Sequence, residues 1–98
     1  MTTFKVRILK LITTIHGTGL SALMHYDLEL PFPPTDGLYL SALPGGESTV
    51  GPLIKCVYEY ASGQFFCEIE PMILNTPNFY DIVAEHEKVG WGTLQTTQ

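Results

Sequence analysis

Two stretches decide the fold: Phe4-Lys5-Val6-Arg7-Ile8-Leu9-Lys10-Leu11-Ile12 and Ala22-Leu23-Met24-His25-Tyr26-Asp27-Leu28-Glu29-Leu30. In the first, Phe4, Val6, Ile8 and Ile12 fall on one side, and Lys5, Arg7, Leu9 and Leu11 on the other. In the second, Ala22, Met24, Tyr26, Leu28 and Leu30 alternate with Leu23, His25, Asp27 and Glu29. A period of two in β-branched and aromatic company predicts strands at about 4–12 and 22–30. Between them Gly17 and Gly19 accept positive φ and let the chain reverse. A reversal centred on Gly17 sets Phe4 opposite Leu30, Lys5 opposite Glu29, Val6 opposite Leu28 and Arg7 opposite Asp27. Cross-strand pairs of this kind contribute about 0.2–1 kcal/mol each, and a one-residue slip would turn every side chain to the wrong face. Lys5 and Arg7 thus read as sheet partners rather than a phosphate site. Lys10 falls on the apolar row opposite Met24, which predicts a bulge near Leu9 or a rim position from which the ammonium reaches water.

Outward from this pair, Pro31-Phe32-Pro33-Pro34 must stop the ladder, because proline fixes φ and lacks the N–H donor. A short third strand is expected at 38–43, then a glycine loop at 44–48 with no phosphate-binding Gly-Lys-Ser/Thr after it. Strands at about 53–60 and 64–70 read as a hairpin around Ser62-Gly63. A two-residue turn there pairs Tyr58 with Cys67, Cys56 with Ile69 and Val57 with Glu68, leaving the two cysteines diagonal and unbridged. Thr76 or Asn78 can cap a helix at about 77–89, with Phe79, Ile82, Val83 and His86 on one face. Gly90 then serves as its left-handed stop and Trp91 makes the contact that follows it. Residues 92–98 read as a frayed polar tail. The expectation is a single α+β domain over 1–98: about five antiparallel strands curled into a small open barrel or roll, with one C-terminal helix packed on it.

The formal net charge of −5 lacks the basic footprint of a nucleic-acid binder, so no nucleic-acid partner is expected. No stretch approaches the roughly 20 apolar residues of a membrane span, and the first residues lack a signal-peptide pattern, so no membrane partner is expected either. Two cysteines are too few for a disulfide scaffold, which points to a reducing cytoplasm. His16, His25, His86, Cys56 and Cys67 show no zinc spacing, and no cofactor fingerprint occurs, so neither metal nor cofactor is assigned. Both cysteines fall on the apolar face of the hairpin, where burial makes a thiol inert. The carboxylate pairs Asp27 with Glu29 and Glu68 with Glu70 largely find basic partners in the sheet. No catalytic residue is assigned.

Apolar side chains nevertheless occur on both faces of the sheet: Leu9, Leu11, Leu23, Val57 and Phe66 all lie on rows opposite the main core. Only 15% of residues are charged, against about 25% in typical soluble domains. Contiguous apolar surface marks an interface. The sequence therefore points to a non-enzymatic interaction or accessory module, acting as a homodimer or on another protein through these five residues. Two alternatives stand beside it. One is a small-molecule-binding domain or minor enzyme with a pocket under the proline loop, near Phe32, Tyr39 and Trp91. The other is a viral inhibitor whose acidic surface imitates nucleic acid, which requires the ten acidic residues to gather on one side.

Overall fold

In the computed structural model, which describes residues 2–15, 19–41, 49–75 and 78–97, β1 (Phe4–Thr14) pairs antiparallel with β2 (Ser21–Leu30). The Gly17 turn centre, His16, the end of the expected strand 38–43, the 44–48 loop and the Thr76-Pro77 cap lie outside the described residues. The β1–β2 register runs unbroken from Phe4↔Leu30, Lys5↔Glu29 and Arg7↔Asp27 to Thr13↔Ser21, the pairing that the charge and apolar alternation demands. Val6, Ile8 and Ile12 of β1 are buried with Ala22, Met24, Tyr26 and Leu30 of β2. No bulge separates Leu9 from Lys10, which pairs with Met24. Lys10 therefore stays on the core face; its Nζ lies 2.8 Å from His86 Nε2 and 5.5 Å from the Trp91 ring centroid.

The remaining elements are β3 (Leu40–Ser41), β4 (Thr49–Val50), β5 (Lys55–Glu59), β6 (Gln64–Glu68), β7 (Met72–Leu74), α1 (Phe79–Lys88) and β8 (Gly92–Thr97). The main sheet has six strands in the order β5-β6-β1-β2-β8, with β7 also on β1, while β3 and β4 form a small separate pair. The architecture is α+β, mainly antiparallel with one helix, and the sheet stays open rather than closing into a barrel. It is also mixed, because β6 and β7 both run parallel to β1. With β2 on one edge of β1, the other edge is a row of backbone donors and acceptors that must find partners. Side-chain alternation carries no information about the direction in which the neighbour runs.

Two further expectations are corrected. Residues 92–97 are not a frayed tail; they form edge strand β8 on β2, with a register shift between Leu23 and Met24. Backbone ladder bonds hold an edge strand without an apolar face of its own. The β5–β6 hairpin closes through four residues, 60–63, with Gly63 at φ +70° donating its N–H to the Glu59 carbonyl at 2.9 Å. The observed pairs are Lys55↔Glu68, Cys56↔Cys67, Val57↔Phe66 and Tyr58↔Phe65. This register differs by two residues from that of a two-residue turn. Every side chain keeps its face, but Cys56 comes to lie directly opposite Cys67.

Asn78 occupies the N-cap of α1 without a side-chain cap bond. At the other end Gly90 takes φ +106°. Its N–H donates to Glu87 O at 3.3 Å and that of Trp91 to His86 O at 3.1 Å, which closes the helix in a Schellman arrangement. The chain thereby delivers Trp91 into the core, where it packs edge-on to Tyr26 at 5.5 Å. Phe79, Trp91, Leu40, Val50 and Leu53 complete one buried cluster with the core face of the sheet.

Candidate interaction face

Odd-numbered residues of β1 and β2 point away from this cluster, and the β6 and β5 registers carry Phe66, Glu68, Val57 and Lys55 onto the same side. All five sequence-derived interface residues, Leu9, Leu11, Leu23, Val57 and Phe66, thus lie on one face of the sheet. That face is open: Leu11 is 39% exposed, Val57 47%, Ile54 50% and Ile73 62%. Three of the five converge. Leu9, Leu11 and Leu23 wall a concavity of about 280 Å³ together with Ile54, Ile69 and Pro71, and Glu68 is its one charged lining residue. Val57 and Phe66 form a cross-strand pair on the same face but do not line the groove.

The groove has a local cause. Pairing with β1 passes from β6, which ends at Glu68, to β7, which begins at Met72; Ile69 still donates its N–H to the Leu9 carbonyl at 3.1 Å, and after it the chain leaves the ladder. Pro71 cannot donate to a sheet, so the break is written into the sequence. Ile54 precedes β5; alternation through the expected strand 53–60 assigns it to the core face with Cys56, which is why periodicity does not find it in the groove. The interruption at Pro71 was the available signal.

Beside the apolar groove runs a polar ladder. The Arg7 guanidinium grips Asp27 with two bonds, Nε to Oδ1 at 2.9 Å and Nη2 to Oδ2 at 3.0 Å, and His25 Nδ1 lies 3.0 Å from the same Oδ1. Burial alone would push the Asp27 carboxyl up, but the bonds from Arg7 and His25 outweigh it and hold the carboxyl below its ordinary value. The His25 ring lies over Gly92, where a Cβ would come within 2.5 Å of Nε2. Arg7, Asp27 and His25 are therefore engaged with one another.

Phe32, Tyr39 and Trp91, the residues of the alternative pocket, differ widely in exposure. Trp91 is 3% exposed, enclosed by Tyr26, His86 and Lys10, whereas Phe32 and Tyr39 are 45% and 61% exposed. Cys67 is buried and Cys56 half-buried, both as free thiols. Burial pushes Cys56 up and Cys67 to about 12, which lowers the thiolate share of both and slows their attack at neutral pH. Among the described residues no group of three His, Cys, Asp or Glu side chains could hold a metal ion, and no helix is long and apolar enough to cross a membrane. Comparison with protein-family models, with curated proteins and with solved structures finds no match.

Proposed function

We propose that the chain is a non-enzymatic interaction module that associates with a second copy of itself through the face carrying Leu9, Leu11 and Leu23. The observation that carries this reading is the open, apolar groove of about 280 Å³ on a sheet face that leaves Leu11, Ile54, Ile73 and Val57 in water. Covering an aliphatic side chain of this size is worth about 1.5–3 kcal/mol, and sheets stack face to face at about 10 Å.

A second copy is favoured over an unrelated partner by what the face itself contains. A two-fold interface must be complementary to itself. This one presents both a recess, between Leu9, Leu23 and Ile54, and projections, at Ile73 and Val57. Three of its charge pairs face each other across the ladder, Arg7 opposite Asp27, Lys5 opposite Glu29 and Lys55 opposite Glu68, while Glu59 stands opposite Gln64. The acidic excess of α1, at Asp81, Glu85 and Glu87, belongs to the opposite layer, so stacking does not bring it together. The same division leaves the acidic residues on two sides of the molecule, which disfavours a nucleic-acid-like acidic surface.

Sedimentation velocity or light scattering over a dilution series tests the reading, with Leu11→Glu and Ile54→Glu beside the wild type. The expected result is a wild-type dimer and two folded monomeric variants with unchanged circular dichroism. A wild type that is monomeric throughout, or a dimer indifferent to both substitutions, overturns it.

A further inference from the structure

We infer that Cys56 and Cys67 form a redox-modifiable dithiol, closing to a cross-strand disulfide between β5 and β6 by exchange with a small-molecule disulfide of the glutathione type. Independently of self-association, three observations carry this. The two residues are direct partners in the antiparallel ladder. The backbone N–H of Cys56 donates to Asp36 Oδ1 at 3.0 Å, away from β6. In an antiparallel pair, a residue whose N–H points outward belongs to a non-hydrogen-bonded pair, the kind with Cα atoms only about 4.5 Å apart and side chains closest. That separation falls inside the roughly 4.4–6.8 Å window of disulfides. Finally, β5 is the outermost strand of its side of the sheet, so the small shear that bond formation requires meets no further strand.

The two thiols have unequal access: Cys56 is half-buried, and Cys67 has no exposed surface. This orders the chemistry. The Cys56 thiolate attacks one sulfur of the small disulfide, forming a mixed disulfide and releasing one thiolate. The Cys67 thiolate then attacks the Cys56 sulfur, the protein S–S bond forms, and the second small thiolate leaves. Two protein thiols are oxidised, one small disulfide is reduced to two thiols, and the two protons lost from the cysteines end on the released thiolates. Because only thiolate attacks and burial holds Cys67 at about 12, closure accelerates about tenfold per pH unit through the mildly alkaline range.

The test equilibrates the reduced full chain in glutathione redox buffers, alkylates the remaining thiols and reads the intact mass. It is run natively and in concentrated urea, with Cys67→Ser and Cys56→Ser alongside. The native chain is expected to become lighter by two hydrogens, with no chain-to-chain disulfide, and refractory to alkylation, at a glutathione-disulfide ratio at least about tenfold lower than the urea-unfolded chain requires. Cys67→Ser is expected to stop as a glutathione adduct on Cys56, and Cys56→Ser to stay unmodified while folded. Two alkylatable thiols in the native chain under conditions that close the unfolded one, closure no easier natively than in urea, or an adduct on Cys56→Ser as readily as on Cys67→Ser would each overturn the assignment.

Discussion

The Lys10 ammonium and the His86 imidazole meet at 2.8 Å and join the core face of β1 to the last turn of α1. His86 Nδ1 lies 2.8 Å from the Ile82 carbonyl oxygen, a group that only accepts, so the ring proton resides on Nδ1 and Nε2 accepts from Lys10. The pair also has the Trp91 ring beside it, at 5.9 Å from the His86 ring. Removing the two partners is expected to have unequal effects. His86→Leu deprives a part-buried ammonium of an acceptor and should cost about 1–3 kcal/mol, whereas Lys10→Met leaves an apolar stem opposite Met24 and should stay within about 1 kcal/mol. Urea denaturation of both variants measures the difference, and a larger loss in Lys10→Met would show that the ammonium stabilises the fold on balance.

Gly51 supplies a second prediction. Its φ of +141° suits glycine alone, and a Cβ there would stand 2.8 Å from the Leu38 carbonyl oxygen and 3.0 Å from the Tyr39 Cα. Backbone atoms cannot swing aside as a side-chain end can. Gly51→Ala is therefore expected to cost at least about 1–3 kcal/mol, whereas Gly37→Ala, which meets nothing within 4 Å despite φ +89°, should show the conformational cost alone. Thermal unfolding of the two variants separates clash from strain.

Asp27 links stability to pH. Its carboxyl is held below the ordinary value by Arg7 and His25 against the opposing effect of burial. A carboxyl depressed in the folded state binds fewer protons than in the unfolded chain, so its contribution is fully present above the unfolded value, near pH 4, and is lost as pH falls through the folded one. With the Asp27 side chain 52% exposed, the contribution is about 0.2–1 kcal/mol and shrinks in salt. Denaturation midpoints from pH 6 down to about pH 2 should fall less steeply in Asp27→Asn than in the wild type.

The edge strand β8 makes a fourth. Backbone amides of 92–97 that bond to β2 should exchange with solvent at least about tenfold more slowly than those of an unstructured tail. Deleting residues from Thr93 onward removes the bond from Thr93 Oγ1 to Glu87 Oε2 at 3.2 Å and bares one whole edge of β2. The truncated chain is expected to aggregate, as unpaired edges do. Amide exchange that is equally fast throughout 92–97 would remove β8 from the sheet in solution.

What the sequence discloses follows from what each pattern encodes. Lys5 with Glu29 and Arg7 with Asp27 disclose the β1–β2 register, since charge and apolar alternation agree on a single alignment. Leu9, Leu11 and Leu23 are legible as surface because they are apolar on the row that carries the charges. Ile54 and Pro71 complete the groove from outside the observed strands; a period of two run through 53–60 sends Ile54 to the opposite face, and it has nothing to say of Pro71. At Gly63 both a two-residue and a four-residue turn place glycine where φ is positive, so the glycine fixes the turn but not its length. Nothing in the side chains of 64–74 announces that they run parallel to β1, and the threonines of β8 lack the apolar face by which strands are recognised.

The parallel alignment of β6 on β1 has a consequence for the order of events at the ribosome. Val6 pairs with Phe65, so the far edge of β1 waits for some sixty residues, about 3–12 s of synthesis at roughly 5–20 residues per second. During that interval the β1–β2 hairpin has one edge bare and an apolar row at Val6, Ile8 and Ile12 without its cover. Nascent chains on neighbouring ribosomes would offer each other the strand that each still lacks, and molecular chaperones would encounter this hairpin before any later part of the molecule exists.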